Sequence, residues 1–241
     1  MNLPTPRWWL TLTRAGKAEF RTLATLLLVV ALLLVFGVVA NEMNEGETRA
    51  FDNAVLLAMR NPANRADPIG PRWFEDSVRD VTSLGSTTVV IIIVSATAGF
   101  LALSRARAAA MLVVASVCGG AILMQVLKET FGRVRPDVVS HSLVELTRSF
   151  PSGHTTLAAV TYLTLGALLA RVQSSRPLKM YVLFVAIMLT LLVGVSRVYL
   201  GLHWPTDVLA GWCLGAAWAM VCWVVAAWLQ REGRVEKKIN T

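Results

Sequence analysis

The sequence predicts an all-α fold: a bundle of six transmembrane helices with short interfacial helices in its first outer connection. Three observations predict it. Apolar residues make up 55% of the 241-residue chain and charged residues only 16%, too little charge to coat a soluble domain of this size. The mean hydropathy is +0.58. Six uncharged stretches are long enough, or nearly so, to cross a hydrocarbon layer.

Those stretches run over residues 22–40, 82–104, 108–127, 155–170, 180–196 and 208–230. The first follows a polar lead of some twenty residues and ends on Val38-Val39-Ala40, a loose echo of a cleavage site. It exceeds the apolar core of a signal peptide and reads as an uncleaved anchor. The fourth and fifth are short and gain length from flanking residues that line a cavity.

The connection 41–81 carries Phe51, Val55 and Met59, then Phe74, Val78 and Val81 after Pro71, both sets at helical spacing. They predict short helices lying on the membrane surface, with Trp73 as an anchor, or equally helices packed over the bundle. No repeat, low-complexity stretch or second domain interrupts the chain, so residues 1–241 form one integral-membrane domain.

The net charge of +8 is a matter of topology. Arg7, Arg14, Lys17 and Arg21, then Arg105 and Arg107, then Arg171, Arg176 and Lys179, then Arg231, Arg234, Lys237 and Lys238 all fall on one side of a six-helix path. That side is assigned to the cytoplasm, with both termini. On the other side, the first connection holds five arginines outnumbered by eight acidic residues. No basic run is interleaved with aromatics, so no nucleic-acid partner is expected. Cys118, Cys213 and Cys222 lie in apolar runs without metal-ligand spacing and read as small buried hydrophobes.

Three segments on the outer side are chemically unusual. In the first, Lys128 and Arg135 are seven residues apart, on one face if a helix persists, before Pro136 stops or bends it. Two converging cations suit an anion, but alone they equally fit a positive stop region or headgroup contact. The second is Phe150-Pro151-Ser152-Gly153-His154. Ser152 is a natural N-cap, Gly153 permits close approach, and the amides of a helix start attract anions. A plain N-cap accounts for Ser152 and leaves His154 unexplained.

The third runs from Ser196-Arg197 to His203-Trp204-Pro205-Thr206-Asp207. Pro205 opens the last helix and Asp207 falls in its first turn. A carboxylate on one ring nitrogen of His203 would leave the other as a lone-pair nucleophile. As an isolated pair they read first as a dipole partner and an interfacial anchor. Arg133, Arg148 and His141 lie nearby and read as solvated or headgroup-facing.

Taken together the segments resemble the type 2 phosphatidic acid phosphatase superfamily, which also contains vanadium haloperoxidases. That family's pattern is K-x6-R-P, P-S-G-H, then S-R-x5-H-x3-D. Here Lys128, Arg135-Pro136, Pro151-Ser152-Gly153-His154, Ser196-Arg197, His203 and Asp207 fill every fixed position in order, over residues 128–207. The resemblance implies that His203 is a nucleophile forming a phosphohistidine and that Asp207 orients it. It implies His154 as the general acid, with Lys128, Arg135, Ser152, Gly153 and Arg197 binding phosphate.

The chemistry agrees. Charge spreads over three equatorial oxygens in phosphoryl transfer, and three cations with helix-start amides can hold them without a metal or cofactor. His203 has to be neutral and His154 charged. Asp207 alone would favour charge on His203, which the cation cluster is expected to offset.

The expected function is hydrolysis of a lipid phosphate or diphosphate at the outer face of a bacterial inner membrane. Undecaprenyl diphosphate, phosphatidylglycerophosphate and phosphatidate are the candidate substrates. Membrane lipids are the surroundings, and no obligate protein partner is inferred. A phosphotransferase using the same site, vanadate-dependent halide oxidation and a non-enzymatic lipid-binding or transport bundle are the competing readings.

Overall fold

The first apolar run lies inside a long helix, α1 (Arg7–Glu45), in a computed structural model that describes residues 7–138 and 148–231. Near its C-terminal end Phe36 packs against Phe131 and Phe150, with ring centroids 6.3 and 5.7 Å away. Val39, Ala40, Met43 and Ala210 complete that cluster. It ties α1 to the last helix directly beneath the segments singled out above.

The first connection folds as α2 (Arg49–Ala58), a two-stranded antiparallel hairpin of β1 (Arg60–Asn61) and β2 (Asn64–Pro68), and α3 (Arg72–Ser83). Both helices were expected and the hairpin was not. Asn61 and Asn64 close its turns by accepting from the amides of Ala63 and Ala66 at 3.1 Å each, a local asparagine device. Only part of the Phe51 stripe turns inward on α2: Phe51 is exposed, Val55 and Met59 are half-buried, and Asp52 and Leu56 are fully buried. Leu56 packs with Val198 and Val208. Helix α3 lies on the fifth membrane helix through the edge-on contact of Phe74 with Tyr199, 5.3 Å between ring centroids.

The second expected span, 82–104, is broken. Helix α4 starts at Thr87 and ends at Leu103, because Ser86 caps it by accepting from the Val89 amide at 3.3 Å. Gly85 sits in the break, where a Cβ would meet the His154 carbonyl oxygen at 2.9 Å. Helices α3 and α4 therefore meet at a 49° bend.

The other spans form as expected with longer ends: α5 (Arg107–Phe131), α6 (Gly153–Val172), α7 (Arg176–Tyr199) and α8 (Pro205–Arg231). Among the described residues five helices are long and apolar enough to cross a membrane, and six if the bent pair α3–α4 counts as one. The chain is an integral membrane protein.

Helix α6 is central, packed against α4, α5, α7 and α8. Val90, Val94, Val113, Val117, Leu157 and Val160 form one core. Two polar links lie deeper: the hydroxyls of Ser116 and Thr164 bond at 3.1 Å, and the Trp218 indole donates to the Ser116 carbonyl at 2.8 Å. Cys213 is buried and Cys222 half-buried, but Cys118 is exposed on α5. The C-terminal ends of α1, α5 and α7 and the N-terminal ends of α4, α6 and α8 share one side of the bundle, and all three unusual segments lie there.

Candidate active site

The first segment converges on the site by a different route from the one its spacing suggests. Helix α5 does not persist to Arg135. Gly132, at φ 61°, ends it in the left-handed conformation that glycine tolerates. Pro136 follows outside the helix. Lys128 stays in the last turn of α5, while Arg133 and Arg135 lie in the irregular chain beyond it. The Ser149 amide donates to the Arg133 carbonyl at 2.8 Å, stitching this segment to the approach to α6.

Ser152 occupies the N-cap position of α6 and is fully buried, but its side chain does not cap. Its hydroxyl instead accepts from Thr155 Oγ1 at 2.9 Å, and its amide donates to the Asp207 carbonyl at 3.1 Å. The first amides of α6 are thus not taken by a Ser152 cap. Gly153 faces Lys128: a Cβ there would lie 3.5 Å from Nζ. His154, in the first turn of α6, lies within electrostatic reach of Arg197, His203, Lys128 and Arg135.

The third segment is a tight connection between α7 and α8. The amides of Leu202 and His203 donate to the Arg197 carbonyl at 3.0 and 3.3 Å, and Gly201 turns the chain at φ 72°. Pro205 opens α8 and Asp207 sits in its first turn. His203 Nδ1 lies 3.4 Å from Asp207 Oδ2, which also accepts from the Trp204 amide at 3.0 Å.

On the other side of the ring, Arg135 Nη1 lies 3.1 Å from Nε2. A guanidinium only donates, so Nε2 accepts and the ring proton sits on Nδ1, facing the carboxylate. His203 is 1% exposed. Burial first, then the charges of Arg197, Arg135 and Lys128, push its pKa well below the ordinary histidine value. The ring is held neutral with its free lone pair aimed among cations.

The structure also corrects the reading of Arg133. Far from being solvated, its side chain is 11% exposed and bridges two fully buried carboxylates, Asp52 and Asp207, at 2.6 Å each. Nη1 also donates to Thr206 Oγ1 at 2.7 Å, and the guanidinium lies over the Trp204 ring, 5.5 Å from its centroid. Asp52 then accepts from the Thr206 amide at 3.0 Å and the Thr206 hydroxyl at 2.7 Å. Asp52 and Thr206 went unremarked in the sequence, and one signal existed for Asp52: an acid on a helix whose remaining positions are largely apolar. Arg148 is exposed, as expected, and reaches the Lys128 carbonyl at 3.4 Å. His141 lies outside the described residues.

Beside this cluster opens a cleft of about 610 Å³, lined by Asp52, Arg133, Arg135 and Trp204 and by Arg49 and Arg65. His203 does not line it, but Arg135, which does, contacts His203.

Comparison with known proteins gives a consistent picture. Residues 109–231 match the model of the PAP2 superfamily. The chain is 30% identical over 187 residues to phosphatidylglycerophosphatase B of Bacillus subtilis, covering 77% of this chain and 88% of that one. It is 29% identical over 161 residues to a lipid A 1-phosphatase of Rhizobium johnstonii, covering 58% and 61%. An undecaprenyl-diphosphatase of Sulfolobus acidocaldarius is 41% identical over 68 residues, covering 28% and 29%. Among solved structures, the transmembrane PAP2-type phosphatidylglycerolphosphate phosphatase of Bacillus subtilis superposes with a TM-score of 0.69 at 26% identity, over 87% of this chain and 98% of that one.

Proposed function

Because the chain belongs to the PAP2 superfamily, and its homologues are lipid phosphatases, we propose that it hydrolyses a phosphate monoester or diphosphate of a membrane lipid through a phosphohistidine on His203. The observation that carries the reading is the placement of the His203 ring: Nδ1 on Asp207, Nε2 against Arg135.

In the first half-reaction Nε2 attacks phosphorus. The N–P bond forms as the bond to the leaving oxygen breaks, and that oxygen takes a proton from His154. The phosphorylated ring retains its Nδ1 proton and becomes cationic, and Asp207 balances that charge. In the second half-reaction water attacks phosphorus and gives a proton to His154. The N–P bond breaks, and inorganic phosphate and neutral His203 are restored.

Arg135 is the group that moves. It has to leave Nε2 for the lone pair to attack, and a phosphoryl oxygen offers it a stronger, charge-assisted partner. Lys128, Arg197, the Ser152 hydroxyl and the Gly153 amide hold the remaining oxygens. These cations supply the charge a metal would otherwise bring, so the mechanism needs none. A proton on His154 adds to the charge of three nearby cations, Arg197, Lys128 and Arg135, and a bound phosphate dianion offsets it.

Undecaprenyl diphosphate, phosphatidylglycerophosphate and phosphatidate are the substrates to test. The placement of lysine and arginine supports an inner-membrane protein with cytoplasmic termini and the site facing the periplasm. The test is phosphate release in detergent from these three lipids, with His203→Ala as control. Release from at least one lipid that disappears in His203→Ala is expected; wild-type turnover in His203→Ala would sink the mechanism.

A further inference from the structure

Asp52 reaches the site from outside the catalytic signature. It is fully buried on α2, and the carboxylate contacts described above all go to Arg133 and Thr206. Arg133 in turn splits its two terminal nitrogens between Asp52 and Asp207. Holding α2 against α8 needs no such arrangement, because Leu56 already packs there against Val198 and Val208. Buried ion groups bring little net stability over apolar packing of the same shape, which points to another use.

We propose that Asp52 and Arg133 are positioning residues for the reaction: Arg133, anchored by Asp52, fixes the Asp207 carboxylate and sets how much of its charge reaches His203. The proposal rests on the reading of His203 as nucleophile and Asp207 as its orienting group. Geometrically, Arg133 takes Asp207 Oδ1, which leaves Oδ2 for the Trp204 amide and His203 Nδ1.

Electrostatically, the described groups around His203 are Lys128 from α5, Arg135 beyond it, His154 from α6, Arg197 from α7 and Asp207 from α8. Asp207 is the acid among these described groups, and Arg133 is bonded to it. Asp52 shares that guanidinium, so less of its charge falls on Asp207. Without the Asp52 charge, Arg133 neutralises Asp207 more fully and His203 holds a proton less readily.

The test is the pH profile of phosphate release from a short-chain phosphatidate, using the full chain in detergent, for wild type, Asp52→Asn, Arg133→Lys and His203→Ala. Asp52→Asn is expected to lower kcat by about tenfold to a hundredfold, the scale seen when the partner of an oriented group is lost. KM should stay within about twofold, the scatter of a uniform-binding term left intact. The acid limb of kcat/KM should move to lower pH. An acid limb that stays in place overturns the proposal, whatever happens to turnover or to the melting temperature, since packing of α2 alone would then account for Asp52.

If Asp52→Asn does not yield monodisperse protein, Arg133→Lys carries the test. An ammonium cannot span both carboxylates as a guanidinium does, so kcat should fall at unchanged KM; wild-type kcat overturns the proposal. Failure of the underlying reading shows separately, as activity retained in His203→Ala.

Discussion

Arg135 donates to Nε2 of His203 at 3.1 Å, so the lone pair proposed to attack phosphorus is occupied by the very cation proposed to bind the phosphoryl group. Arg135→Ala would free the nitrogen yet remove transition-state charge stabilisation. A kcat/KM lower by about a hundredfold to a thousandfold is expected, the range for losing one preorganised donor. Steady-state phosphate release checks it, and an Arg135→Ala protein faster than wild type would show that Arg135 only inhibits.

Burial gives His203 a sign in stability as well as in catalysis. Its folded pKa lies below the unfolded value of about 6.5. Below that unfolded value the unfolded chain binds a proton that the folded chain refuses, so stability is present above it and is lost as pH falls toward the folded pKa. The melting temperature in detergent should fall as pH drops from 7 to 5, and fall less in His203→Gln. Equal slopes for the two proteins would contradict the buried neutral ring.

Asp207→Asn keeps the size of the side chain but removes the charge that the cationic phosphohistidine needs. It also offers an N–H where His203 Nδ1 now finds an acceptor, inviting the wrong tautomer. In hydrolases built on the same His–carboxylate logic such a change costs about 10⁴ in kcat. A comparable loss is expected here, with KM little changed, measured by phosphate release; turnover within about tenfold of wild type would remove Asp207 from the role.

Orientation is testable without activity. In a variant with Cys118, Cys213 and Cys222 replaced by serine, Glu47→Cys and Ser174→Cys mark opposite ends of the bundle, and both positions are exposed. A membrane-impermeant maleimide applied to intact spheroplasts should label position 47 and spare 174. The reverse pattern would place the site in the cytoplasm.

What the sequence revealed depended on how local each cause was. Apolar length located the spans, and Pro205 located the start of α8. The α3–α4 break rested on Gly85 and Ser86, two small residues inside an otherwise continuous run, and apolar length alone concealed it. The spacing puts Lys128 and Arg135 on one face only if the helix persists; Gly132 ends it, and Arg135 reaches the site from the irregular chain beyond.

Arg133 was missed for a different reason. Its partners Asp52 and Asp207 lie 81 and 74 residues away, and no periodicity connects them. Ser152 differs: its partner Thr155 is close in sequence, and the hydroxyl is claimed by that side chain rather than by a capping bond.

The central claim is the covalent step on His203. The direct measurement is to mix purified protein with lipid phosphate radiolabelled in the scissile group, quench in alkali, where phosphohistidine survives, and locate the label by peptide mapping. Label is expected on the peptide carrying His203, absent in His203→Ala and accumulating in His154→Ala when a good leaving group bypasses the first protonation. Product release with no protein-bound label under any of these conditions, or label on a peptide without His203, would contradict it.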